Sequence, residues 1–329
     1  MRKILALIVC TLFLAGSSNA ELSVETYTLE LEAGDYVKYE IMGDTLGIMI
    51  GKDIGGDNYL GIENFIANEP VQKVTGQEII EKDNLTYDCH IEKINMSLSF
   101  TLLLKENTSA TDNDKMNFDI SYLYTVWKVD TLTKIKQDFE FYYHVDWLED
   151  GEIKSYDMVR IDEISYNNRQ GSWPGTIELD STWTISKTTK TSSTIRERVD
   201  EGEWETETEE TEETVVTDFI VTDEVKVTTS AGTFEALKVK YSEQEDDAGT
   251  YSLEYYNSDF ISVKQEEYEA DELFMTMQLK EYSIKSLESK SVDNSSSDKD
   301  SSSDNPLPSL TIIPALAVIS LMSLLRRKV

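Results

Sequence analysis

The chain contains only two histidines, and each has a neighbour that gives it a conceivable chemistry. Cys89-His90 could act as nucleophile and base, or as two metal ligands. Adjacent residues on a strand point to opposite faces, so both are expected to be structural. His144 is expected to be a strand residue; Asp146, two positions on, shares its face, and a weak acid–base pair between them is the basis of a hydrolase reading. The acidic run Glu197 to Glu213 suggests cation binding. A calcium loop, however, sets its oxygens around a glycine turn, whereas Glu and Thr alternate from Glu205 to Glu209 as on a strand with one charged face. A hairpin turning at Glu201-Gly202 would set Arg198 opposite Glu205, Arg196 opposite Glu207 and Lys190 opposite Glu213. Each such pair is worth up to ~1 kcal/mol. Gly171-Ser172-Trp173-Pro174-Gly175 places its serine one position early for a nucleophile elbow, with no helix after it, and reads as a linker. Gly51 to Gly61 lacks the helix of a phosphate loop and reads as a turn. Trp127, Trp147, Trp183 and Trp204 either line a ligand groove or belong to sheet core and edge. No catalytic, metal-ligating or cofactor-binding set emerges from these residues.

The elements that must position these residues are strands. Tyr36 to Ile41, Leu85 to Ile94, Met96 to Leu104, Phe118 to Trp127, Ile135 to Trp147, Val215 to Val227 and Phe234 to Tyr241 alternate apolar and polar residues and are rich in β-branched and aromatic types. Gly61 to Glu81 has room for a short helix, interrupted by Pro70 and Gly76. Three segments recur in order in the two halves. LEAGDYVKYEI from Leu31 is answered by IELDSTWTIS from Ile177. GQEIIEKDNLTYDCHIEKI from Gly76 is answered by TDEVKVTTSAGTFEALKVKY from Thr222. WKVDTLTKIKQDFEF from Trp127 is answered by YNSDFISVKQEEYEA from Tyr256. Order and spacing together indicate a body built twice. Gly34 and Gly232 supply permissive backbone at turns.

The two ends fix an address. Arg2 and Lys3, an apolar run from Ile4 to Ala15, and small residues up to Ala20 read as a secretory signal cleaved after Ala20. Ser286 to Asn305 is a Ser, Asp and Lys tract with almost nothing to bury, a solvated tether. The apolar span Pro306 to Leu325 precedes Arg326-Arg327-Lys328, the pattern of a membrane anchor whose C-terminus stays inside. The chain has 30 basic and 63 acidic residues and a net charge of −33. The ends hold five of the basic residues and none of the acidic ones, so the part between is more acidic still. That excludes nucleic acid as a partner, which needs a positive face, and leaves cations only as diffuse counterions. Cys89 alone survives removal of the leader, so the body depends on its core rather than on disulfides. Sequons at Asn84, Asn95, Asn107 and Asn294 are glycosylation candidates.

The tail order of Ser-rich spacer, Pro306-Leu307-Pro308, apolar helix and basic cluster resembles the C-terminal sorting tails of archaeal surface proteins, the PGF-CTERM type. This resemblance implies a helix removed by a protease and replaced by lipid. Glu224-Val225-Lys226-Val227, Ala231-Gly232-Thr233-Phe234-Glu235-Ala236-Leu237-Lys238-Val239 and Val263-Lys264-Gln265-Glu266 resemble segments of exported domains of unknown function like the lipoprotein-carrier superfamily. That resemblance implies a strongly curved antiparallel sheet, an incomplete barrel with a concave apolar face. The expectation is therefore a mainly β protein with two related curved sheets, a signal helix and a C-terminal transmembrane helix. Its parts are a leader (1–20), β unit 1 (21–168), β unit 2 (169–285), a linker (286–305) and the tail (306–329). Function is expected to be that of a surface-anchored, non-enzymatic binding or envelope module. A carrier of lipid or another apolar ligand is the alternative and a hydrolase the second alternative.

Overall fold

A computed structural model describes residues 22–26, 31–42, 59–105, 114–129, 133–149, 152–244 and 249–287. The leader with its Ala20 cleavage point, the sequons Asn107 and Asn294, and the tail motif Pro306-Leu307-Pro308 with its apolar span lie outside the described residues. Among those described, no helix is long and apolar enough to cross a membrane.

The strands are β1 (Val24–Glu25), β2 (Tyr36–Ile41), β3 (Tyr59–Ala67), β4 (Val71–Lys82), β5 (Leu85–Leu104), β6 (Asp114–Lys128), β7 (Lys134–Glu149), β8 (Glu152–Gln170), β9 (Thr176–Ile177), β10 (Thr182–Val199), β11 (Glu205–Thr229), β12 (Gly232–Glu243), β13 (Tyr251–Asn257), β14 (Ser262–Glu269) and β15 (Glu272–Ser283). Period-two alternation produces them. On β5, Ile94, Met96, Leu98, Phe100 and Leu102 are buried while Lys93 and Asn95 are exposed. On β6, Phe118, Ile120, Tyr122, Tyr124 and Val126 do the same, and register sets Phe118 beside Phe100 and Ile120 beside Leu98. The helix for which Gly61 to Glu81 has room is replaced by β3 and β4. Gln72 and Val74 alternate inward along β4, and Pro70 falls between the strands, where no ladder donor is needed.

Twelve of the strands close on themselves. Around the ring the order is β2, β4, β5, β6, β7, β8, β10, β11, β12, β13, β14, β15 and back to β2, with every neighbouring pair antiparallel. β3 continues the β5 edge that β4 leaves at Asn95. Where two curved, incomplete sheets are expected, the described strands make one barrel-like sheet. The reason is edge satisfaction: each six-stranded meander, β2 to β8 and β10 to β15, would present two open edges. Joining β8 to β10 and β15 to β2 pairs all four.

The recurring segments fall on equivalent places in the two meanders. β2 starts at Tyr36 and β10 at Thr182, the β4–β5 hairpin answers β11–β12, and the β6–β7 hairpin answers β13–β14. Twelve strands enclose more space than the eight that side chains just fill. Large aromatics take up the excess, among them Phe100 stacked on Phe118 at 4.9 Å and Phe139 beside Phe141 at 6.2 Å. A second cluster, around Val24, Trp173, Ile177, Val221, Leu237, Tyr256 and Phe260, lies under the two-stranded ribbon of β1 and β9. Trp173 was expected in a plain linker, yet it is buried against Trp183, Phe219, Tyr256 and Phe260, with ring centroids 4.7 to 5.8 Å away. The segment between the halves is thus a plug as well as a connection.

The β10–β11 hairpin forms where the sequence places it, but one residue out of the expected register. Arg196 faces Thr206, Lys190 faces Glu212 and Glu197 faces Glu205. The turn closes early, through Gly202 N–H donating to Val199 C=O at 3.0 Å, with Asp200 at φ 52°. The basic residues find other partners: Arg196 and Arg198 lie over the Trp204 ring at 5.1 and 4.7 Å, Arg198 binds Asp157, and Lys190 reaches Glu210 diagonally.

Candidate functional site

One end of the ring holds a pocket of about 330 Å³, at the small end of ordinary ligand sites. Four strands build it near their ends: Lys82 closes β4, Lys134 opens β7, Tyr166 and Asn167 lie a few residues before the end of β8, and Lys187 comes from the first part of β10. Lys187 stands opposite a bulge in β8, where the register shifts between Asn167 and Gln170. Bulges at barrel rims re-aim side chains in this way. Trp173, Phe219, Ile135 and Ile185 form the apolar wall, with Tyr87, Thr133, Thr217 and Asp83 completing the lining.

Three ammonium groups gather about Tyr166. Lys134 and Lys187 each stand 5.9 Å from its ring centroid, and Lys82 donates to its backbone carbonyl across the mouth of the ring. Lys134 is also paired directly with Lys128 across the β6–β7 hairpin, an arrangement of like charges that destabilises a ladder. Burial, followed by Lys187 and Lys128, pushes the Lys134 ammonium well below the usual lysine range, against the pull of Glu92 and Glu254. Burial also lowers Lys82, against the neighbouring Asp83.

Deeper in the ring, two groups of buried carboxylates behave oppositely. Glu92 accepts from Lys128 Nζ at 2.7 Å, from Gln72, and faces His90 Nε2 at 3.0 Å. Burial alone would raise it, but the Lys128 charge and the His90 hydrogen bond prevail and hold it at about 2. Glu254 and Glu267 sit on β13 and β14 with only neutral donors, Tyr256 and Ser252 plus Gln265 respectively. Burial raises them to about 7 and about 8.

The sequence candidates are scattered. His90 points into the ring and serves Glu92, while Cys89 is buried on the other face. Burial, Asp88 and Glu78 all raise the Cys89 thiol, which suits packing and not nucleophilic attack. His144 and Asp146 do meet, at 3.2 Å, but Asp157 takes the other imidazole nitrogen at 2.6 Å. With both nitrogens committed to carboxylates the ring is a cation clamp, and burial is outweighed by these bonds to raise its pKa. Tyr142 and Arg198 complete this outer cluster through Asp157. The four tryptophans share no groove: Trp127 donates to Glu78 and Trp204 lies under the arginines, while Trp183 stacks on Phe219 and Trp147 packs against the main core. Asn84 and Asn95 are both exposed, the first at the β4–β5 turn with φ 61° and the second midway along β5. Among the described residues no group of three His, Cys, Asp or Glu side chains could hold a metal ion.

Sequence reasoning missed the pocket, because its lysines come from strands that closure alone brings together. The signal within reach was parity: Lys128 continues the inward series Tyr122, Tyr124, Val126, and Glu92 heads the inward series of β5. Comparison with protein-family models, curated proteins and solved structures found no match.

Proposed function

We propose that this is a non-enzymatic binding protein of the cell surface, held at the outer side of the membrane by its C-terminal tail, that takes a small molecule at the end of its barrel. The pocket around Tyr166 carries the binding part of this reading: it combines an apolar aromatic wall with polar groups converging from four strands, the usual make-up of a ligand site. The address rests on the leader to Ala20, the Ser-rich spacer, the apolar span after Pro306 and the closing basic cluster, an archaeal-type sorting tail. The acidic surface and the exposed Asn84 and Asn95 sequons suit an exterior setting. The matching hairpins of the two meanders support an origin by duplication of a carrier-like unit.

A second reading, a carrier of lipid or another apolar ligand, draws on Trp173, Phe219, Ile135 and Ile185 in the same wall. One preparation tests both. Full-length protein from a native-like host is extracted with organic solvent and the extract analysed by mass spectrometry against a Trp173→Ala control. A stoichiometric small molecule lost from the variant is expected, and a long-chain lipid would select the carrier. An empty protein whose unfolding temperature no compound in a metabolite library moves would sink both. The C-terminal peptide of the same sample reports whether the tail is retained or replaced by lipid.

A further inference from the structure

Lys128 and Lys134 face each other across the β6–β7 hairpin, and their surroundings differ. Lys128 Nζ lies 2.7 Å from the Glu92 carboxylate, with both side chains almost wholly buried, so its charge is paired. Among the described residues Lys134 has no carboxylate within ion-pair reach, and Glu92 and Glu254 act on it only from a distance. A second positive charge beside a paired one inside a fold is costly. A buried amine escapes that cost by giving up its proton. What remains is a nitrogen lone pair on the lining of the 330 Å³ cavity, partly buried and so reachable from it. Ile135, Ile185, Phe219 and Trp173 share that lining. A desolvated amine among other cationic groups is the setting in which lysine attacks carbonyl carbon.

We propose that Lys134 captures a small apolar aldehyde or ketone in the pocket, holding it as a reversible imine on Nζ. This rests on the binding reading above and names the ligand class and the bond. The step needs only the two reactants. The Nζ lone pair attacks the carbonyl carbon, and the carbonyl π pair moves onto oxygen. One amine proton passes to that oxygen, giving a carbinolamine. The nitrogen lone pair then expels the oxygen, which leaves as water with the second amine proton. One C=N bond and one water replace the C=O bond and two N–H bonds. Nothing is oxidised or reduced, and added water reverses the step. The apolar wall favours the neutral imine over its charged form, so capture leaves Lys128 as the only cation of the ladder pair.

Reaction at low pH is the second signature. The groups facing Lys134 are Lys82 and Asp83 from the β4–β5 turn, Tyr87 from β5, Lys128 from β6, Tyr166 from β8, Lys187 from β10, and more distantly Glu92 and Glu254. Burial, then Lys187 and Lys128, outweigh the two glutamates and depress the amine. Its neutral form therefore persists to lower pH than that of an exposed lysine. Lys82, by contrast, is committed to the Tyr166 backbone carbonyl.

The test is reductive trapping on the full-length protein in detergent. 2-Naphthaldehyde and cyanoborohydride are added at pH 7, and peptide mass spectrometry locates the naphthylmethyl amine. Lys134 is expected to take up one equivalent about tenfold or more faster than an exposed lysine, because each unit of depression raises the neutral fraction tenfold. Lys226, with 67 % of its side chain in water, is the internal reference. The half-maximal rate of Lys134 should fall at lower pH than that of Lys226. The alcohol 2-naphthalenemethanol forms no imine and reports the cavity separately by calorimetry. Lys134→Met should bind it as the parent does and lose the fast-labelled equivalent. Fast label on Lys134 in the parent upholds the proposal with or without measurable alcohol binding. Label no faster at Lys134 than at Lys226, or fast label on Lys82 or Lys187 instead, overturns the imine, and the pocket reading stands if the alcohol binds. No fast label and no alcohol binding overturn both.

Discussion

Two carboxylate sites inside the same ring, one from each half of the chain, are buried to nearly the same degree and are pushed to opposite sides of the ordinary carboxylate range. Glu92, at 1 % exposure, is ionised because Lys128 and His90 touch it. Glu254 and Glu267, at 2 % and 1 %, meet only hydroxyls and an amide. Burial is common to both, so the cation decides. The orphaned atoms agree. Glu254 Oε1 and Gln265 Oε1 have no hydrogen-bond partner among the described residues, and the two residues are paired across the β13–β14 ladder. A proton on Glu254 turns one orphaned acceptor into a donor and removes the cost of a buried unpaired charge.

The comparison breaks most sharply at Lys128. Lys128→Met leaves a buried, ionised Glu92 without its cation and should cost about 3–5 kcal/mol of unfolding free energy at pH 7, read from denaturant titration. Adding Glu92→Gln should recover most of the loss. If the single variant is as stable as the parent, Glu92 is not held as an anion.

The pH dependence sharpens the contrast, because the two sites generate limbs of opposite sign. Glu92 has a folded pKa of about 2, below the ordinary 4.5, so its stabilisation is present above pH 4.5 and is lost as pH falls toward 2. Glu254 and Glu267 have raised folded values of about 7 and about 8. Their contribution is complete below pH 4.5 and disappears as pH climbs through 7 and 8. Each group contributes on the order of 3 to 5 kcal/mol, so the alkaline limb, with two groups, is the larger. Denaturation midpoints at pH 5 and pH 8 should therefore fall for the parent, and fall less for Glu254→Gln or Glu267→Gln. An alkaline slope unchanged in both variants would count against the assignment.

The smallest effect is expected outside the ring. His144 sits between Asp146 and Asp157 with 24 % of its side chain in water, and solvent-reached pairs contribute at most ~1 kcal/mol. His144→Ala should cost no more than that. The effect should be largest at acidic pH and fade as pH rises through its raised pKa, measured by thermal unfolding at pH 5 and 8. A loss as large as that of Lys128→Met would erase the distinction between paired charges inside and outside.

Much of the architecture could be read from the chain, and the failures have physical causes. Alternation identified the long strands, and the recurring segments landed on matching hairpins because turn residues and strand patterns repeat together. The β10–β11 register slipped by one since the turn tightens through Gly202 and Asp200, and opposite-charge pairing is too weak a force to fix it. Ring closure was not legible: it depends on which open edges meet, and hydrogen bonding between edges carries no side-chain code. The pocket follows from closure, so its lysines could not be grouped beforehand. Trp173 looked like a linker residue because proline and two glycines surround it, and nothing in its segment signals a plug.

The seam between β15 and β2 sets a schedule for folding. It pairs Met277 with Ile41 and Tyr282 with Val37, partners separated by most of the folded body, so it can form only after the last strand has emerged from synthesis. Until then β2 and β14 wait as open borders, liable to pair with the wrong strand or with a neighbouring copy. Such long-range closure slows folding far more than it weakens the finished barrel. A chain stopped before β15 would expose those borders permanently and should self-associate, whereas the completed ring offers no such edge along its twelve-stranded circuit.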